Sequence, residues 1–119
     1  NADALEIYRT VYICEGAINA ETLGENGIAT GGKAVSRWQV NKFIKSPVEK
    51  FIILIDPDAK DKALDLAFKL VPFKKVKVVF LPDNEDVNSL GKQRTLEYVR
   101  KTTYQTYQEL LTIKSELKL

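Results

Sequence analysis

The feature that most constrains this chain is the run Phe51-Ile52-Ile53-Leu54-Ile55, apolar throughout and stopped by Asp56-Pro57-Asp58. A strand with one face in water alternates apolar and polar residues, whereas a strand apolar on both sides belongs inside a sheet covered on both faces, and such sheets are largely parallel. Val11-Tyr12-Ile13-Cys14 and Val76-Lys77-Val78-Val79-Phe80 read as further strands, and Ile28-Ala29-Thr30 as a shorter one. Helical patterns lie between them. Ala17, Ile18, Ala20, Glu21 and Leu23 give the first, with Gly24 and Gly27 as its stop. Ser36 caps a second that carries Trp38, Val40, Phe43 and Ile44 and ends at Ser46-Pro47. Ala63, Leu66, Ala67 and Leu70 place a third over Asp61–Leu70. Strands alternating with helices predict an α/β fold: a mainly parallel central sheet of about four strands, helices on both faces, and right-handed crossovers.

Beyond Phe80 the chain turns polar at Pro82-Asp83-Asn84-Glu85-Asp86 and then helical. Val87–Leu90 reads as one turn, Leu96–Val99 as part of a helix, and Tyr104, Tyr107, Leu110, Leu111 and Leu117 as a final amphipathic helix with its tyrosines in a packing stripe. The expected organisation is one α/β domain over 1–101 and a C-terminal amphipathic helix over 102–119, the latter packed on the domain or joining it to a neighbour.

Composition removes several chemistries. With 119 residues the chain fits one core. It has one cysteine and no histidine, so an internal disulfide, a Cys/His zinc cluster, a serine–histidine triad and a histidine base are all excluded. Cys14, at the end of a buried strand with no histidine to activate it, reads as a small apolar residue. No apolar run is long enough for a transmembrane helix and no signal-peptide pattern opens the chain, so a cytoplasmic protein without a membrane partner is expected. The absence of methionine, even at position 1, points to a piece of a longer protein. The net charge of +2 is too small to give strong nucleic-acid affinity by itself.

What remains is chemistry by carboxylates, lysines or bound metal. Glu15, the pair Asp56 and Asp58, and Asp86 each fall at or just past the end of an expected strand. In an open parallel sheet the carboxyl ends of the strands form the ligand edge. Carboxylates gathered there repel one another unless a cation sits among them. Hard divalent ions such as Mg²⁺ take oxygen ligands and keep waters that phosphate oxygens replace, so metal-assisted phosphoryl transfer is the natural chemistry. Asp-Pro-Asp alone is more often a turn with a helix cap. Its combination with Glu-Gly after one strand and a third acidic loop after the next shifts the balance toward a site. Gly31-Gly32-Lys33 offers either a close backbone approach and a phosphate contact or an ordinary turn with a solvated lysine. Trp38 offers a stacking surface, but its apolar helical neighbours favour the core.

These segments resemble the TOPRIM family. VYICEGAINAETL, Val11 to Leu23, is similar to its first motif, a hydrophobic strand ending in Glu-Gly before a helix, and ILIDPD, Ile53 to Asp58, to its second, a strand ending in Asp-x-Asp. VVFLPDNEDVNSLG, Val78 to Gly91, and ATGGKAVSRWQ, Ala29 to Gln39, resemble the corresponding stretches of bacterial and phage DNA primases. The resemblance implies a Rossmann-like TOPRIM fold with Glu15 as the acid/base or metal-organising carboxylate. Asp56 and Asp58 would be ligands of Mg²⁺ or Mn²⁺, with Asp86 completing the acidic rim. It implies nucleotidyl transfer for primer synthesis in DNA replication, with single-stranded DNA template and nucleotides as partners. Zinc-binding, template-binding and helicase domains would lie outside this chain. The departures are Asn19 and Asn88, where such primases usually carry acids, and Lys60-Asp61 in place of Ala-Gly. They keep open a topoisomerase or nuclease of the same family, and a non-catalytic nucleic-acid or metal-binding module.

Overall fold

A computed structural model describes residues 4–30, 35–55, 59–82 and 84–119, apart from the side chains at 17, 18 and 55. The sequence-derived candidates Gly31, Gly32, Lys33, Asp56 and Asp58 therefore lie outside the described residues. The elements run α1 (Ala4–Ile7), β1 (Thr10–Cys14), α2 (Ala17–Leu23), β2 (Gly27–Ala29), α3 (Arg37–Lys45), β3 (Lys50–Ile55), α4 (Lys60–Leu70), β4 (Lys75–Phe80), α5 (Val87–Leu90), α6 (Lys92–Lys101) and α7 (Tyr107–Glu116). The four strands form one sheet in the order β2-β1-β3-β4, parallel at every pairing. The expected α/β architecture is what the chain adopts.

Strand parity sorts the side chains onto two faces. Val11 and Ile13 of β1, Phe51 and Ile53 of β3, and Val76 and Val78 of β4 join one core with Val40 and Phe43 of α3, Leu64 and Leu70 of α4, and Leu110 of α7. Cys14, Ile52, Leu54 and Val79 point the other way and meet Leu23 of α2, Val87 and Leu90 of α5, and Val99 of α6. Cys14 is thus a buried core residue. The apolar run of β3 is explained by these two covers: its alternate residues feed different cores.

Glycine is needed at position 27 for space. A Cβ there would sit 2.4 Å from the carbonyl oxygen of Ala20, so the side-chain-free backbone lets β2 lie directly against α2. At the opposite edge of the sheet, the segment after α6 crosses β4. The Gln105 backbone N–H donates to Val76 O, and its side-chain amide both accepts from Val78 N at 2.7 Å and donates to Val78 O at 3.1 Å. One glutamine thereby covers part of an edge that would otherwise invite another strand.

Three expectations at the periphery are corrected. Trp38 is 70% exposed, because α3 buries Val40 and Phe43 and turns position 38 outward. The final helix covers Tyr107–Glu116, so Tyr104 belongs to the crossing segment, where its ring lies against the ammonium groups of Lys77 and Lys50. Tyr107 is more than half exposed and makes an edge contact with Phe68 of α4, while Leu110 is the residue that seats α7.

Candidate active site at the carboxyl ends of the strands

The strand order fixes where a ligand fits. From β1 the chain moves outward to β2 on one side, while β3 and β4 extend on the other, so connections diverge between β1 and β3. At such a switch point the loops separate and leave a crevice beyond the carboxyl ends. Glu15 is the residue that follows β1, and Asp56 is the next position in sequence after β3.

Glu15 sits between the end of β1 and Gly16, the N-cap of α2. It is partly buried, and its carboxylate makes no hydrogen bond or ion pair among the described residues. Gly16 contributes no side-chain cap, and Glu15 is not drawn into capping in its place.

Asp86 has a structural task. It is the N-cap of α5, and its Oδ1 accepts from Ser89 N at 2.8 Å while the Ser89 hydroxyl accepts from Asp86 N at 2.9 Å. The reciprocal pair satisfies donors that a helix start leaves open. A carboxylate used this way keeps its second oxygen, which has no partner among the described residues.

The amide at position 19 is explained by the same helix. Asn19 is 7% exposed, and its Oδ1 accepts from Asn88 N at 3.0 Å, the next open donor of α5. The Thr22 hydroxyl donates to Asn88 Oδ1 at 3.3 Å. Asn19 and Asn88 therefore tie α2 to α5 beside the strand ends, a role that the sequence did not reveal. The only advance signal was that both depart from the expected acids.

Among the described residues no group of three or more acidic, cysteine or histidine side chains is close enough to hold a metal. Glu15 and Asp86 alone do not make a centre. No described helix is long and apolar enough to cross a membrane.

Neither a protein-family model nor a curated protein matches the sequence. Solved structures do match the fold. The catalytic core of Escherichia coli primase aligns over 99% of this chain with a TM-score of 0.74 and 16% identity. The chain has the TOPRIM fold of DnaG-type primase cores. A DnaG primase catalytic domain bound to single-stranded DNA aligns over 94% of the chain with a TM-score of 0.69 and 19% identity. A DNA primase domain from Pseudomonas aeruginosa aligns over 80% with a TM-score of 0.67 and 24% identity. In each case the chain spans well under half of the matched structure: 42%, 39% and 34% of their lengths. β1 and β3 pair in parallel at the centre of this sheet, so their carboxyl ends are neighbours.

Proposed function

We propose that this chain is the metal-dependent nucleotidyl-transfer module of a DNA primase, working on single-stranded DNA template and nucleotides with further domains in the same protein. The observation that carries the reading is Glu15: a partly buried carboxylate, without a protein partner among the described residues, at the switch point of a TOPRIM-fold sheet. A carboxylate held there without a cap, ion pair or hydrogen bond to account for it is available to a ligand.

The donor set suits Mg²⁺ or Mn²⁺. The candidates are Glu15, Asp56, Asp58 and the second oxygen of Asp86, all hard oxygens, in a chain without histidine. Divalent ions bound there would supply charge stabilisation at the attacking and leaving oxygens of phosphoryl transfer. The residues of the chain have separate tasks around them. Asp56 and Asp58 would hold the ions, and Asp86 would add charge from a position fixed by its capping bonds. Glu15 would hold or move a proton at the attacking hydroxyl. The Asn19–Asn88 link keeps α5 beside α2, so the Asp86 loop stays near the crevice. Gly31, Gly32 and Lys33, between β2 and α3, would contact nucleotide phosphate.

Replacing Glu15 with Gln tests this reading. The substitution keeps shape and removes charge, so the melting temperature should be unchanged or slightly raised. Primer synthesis by the complete protein should fall about a hundredfold, the scale of a lost general acid or base. A variant that melts far lower yet synthesises normally per folded molecule would make Glu15 structural and overturn the reading.

A further inference from the structure

Trp38 is the single tryptophan of the chain, and at 70% exposure it forfeits most of the burial its ring offers. It lies in the first turn of α3, the helix entered from the carboxyl end of β2. In a parallel α/β unit, that turn is on the same side of the sheet as the ends of β1 and β3. The ammonium of Lys42, one turn further along, lies 5.3 Å from the ring centroid, within reach of a cation–π contact. Arg37, Trp38, Asn41, Lys42 and Lys45 make up the outward face of α3, all exposed. The helix contains no acidic residue, and no carboxylate among the described residues pairs with its three cations.

A tryptophan set among cations that have no acidic partner among the described residues differs from an exposed ring packed on another. Tyr107, for example, has Phe68 against its ring. Apolar helix cover by a protein domain would not call for three uncompensated positive charges around the anchor. A polyanion with flat aromatic groups matches both halves of the surface. From this geometry we infer that the outer face of α3 is a contact for single-stranded nucleic acid, with a base stacked on Trp38 and backbone phosphates on Arg37, Lys42 and Lys45. Stacking of this kind is tolerant of sequence, since every base presents a π-face. The inference rests on the nucleic-acid reading above and assigns it a binding surface apart from the carboxylates.

The lone tryptophan is its own probe. The chain is titrated with oligothymidylate of about a dozen nucleotides at low salt with a chelator present, and tryptophan emission is followed alongside anisotropy of an end-labelled strand. Saturable quenching is expected. Trp38→Ala should weaken binding about tenfold and Trp38→Phe much less, as loss of one stacked base requires. Lys42→Gln should lower the salt slope by about one. Unchanged emission at saturating strand, unchanged affinity of Trp38→Ala, no binding at low salt, or equal quenching by a duplex of the same length would each overturn it. Because no metal is needed, Glu15→Gln should be quenched like the parent. Quenching together with normal synthesis by Glu15→Gln would remove the catalytic reading alone, and loss of synthesis without quenching would remove this one alone.

Discussion

The two ends of the sheet carry charge in opposite ways. At the amino ends of the strands, where Arg9, Glu25 and Glu49 also lie, the fold uses its lysines. Lys74 donates to Ser46 O at 2.9 Å and to Val48 O at 2.6 Å, closing the turn before β3 against the one before β4. Lys77 is 8% exposed and donates to Val99 O at 3.0 Å, a carbonyl in the last turn of α6 that also accepts from Thr102 N, with the Tyr104 ring 4.4 Å away. Burial, and then the charge of Lys50, hold the Lys77 ammonium below the usual lysine range, while burial raises the Tyr104 hydroxyl. At the carboxyl ends the charges are acids. There Asp86 spends one oxygen on a cap, and Glu15 has no described partner at all. Charges that the fold consumes are structural; a charge that it leaves at a switch point is where chemistry is to be sought.

That contrast breaks most visibly at Lys74. Lys74→Met keeps the aliphatic stem but removes both carbonyl contacts, and should cost about 2 kcal/mol of stability, since hydrogen bonds from a charged donor are worth about 1.5–3 kcal/mol each in favourable settings and Lys74 is only partly buried. Denaturant unfolding measures it. No loss would mean that the lower lysines are as uncommitted as Glu15.

A smaller effect sharpens the contrast at Asp86, where cap and charge are separable. Asp86→Ala should cost about 1 kcal/mol through loss of the cap. Asp86→Asn should cost little, since its amide oxygen still accepts from Ser89 N. If the asparagine variant is stable yet binds Mn²⁺ more weakly, the second oxygen faces the ion. Equal metal affinity would leave Asp86 with its capping role only.

The strands were legible because burial on both faces writes itself into composition: Phe51–Ile55 announced the centre of a parallel sheet, and β1 and β4 followed from shorter versions of the same pattern. The start of α3 was legible because Ser36 and Gln39 form a capping box that short-range spacing specifies. Trp38 was misjudged because apolar neighbours at positions 40, 43 and 44 mark a helix face only to within a turn, and position 38 falls just outside it. The Asn19–Asn88 tie and the Gln105 cover of β4 were invisible because each joins residues far apart in sequence through one amide, with no periodicity to betray it. At the site, Glu15 was legible as the residue closing a buried strand. The capping role of Asp86 was not, since capping and metal ligation draw on the same residue type.

The central claim is that the carboxylates at the ends of β1 and β3 hold a divalent ion. Titration with Mn²⁺, watched through paramagnetic broadening of backbone amide signals, tests it directly. The signals of residues 14–17, 55–59 and 85–88 should broaden first and together, at weak affinity because no substrate phosphate completes the shell, and Glu15→Gln should need more Mn²⁺ for the same effect. Broadening centred on the lysine-bearing end of the sheet, or left unchanged by Glu15→Gln, would contradict the claim.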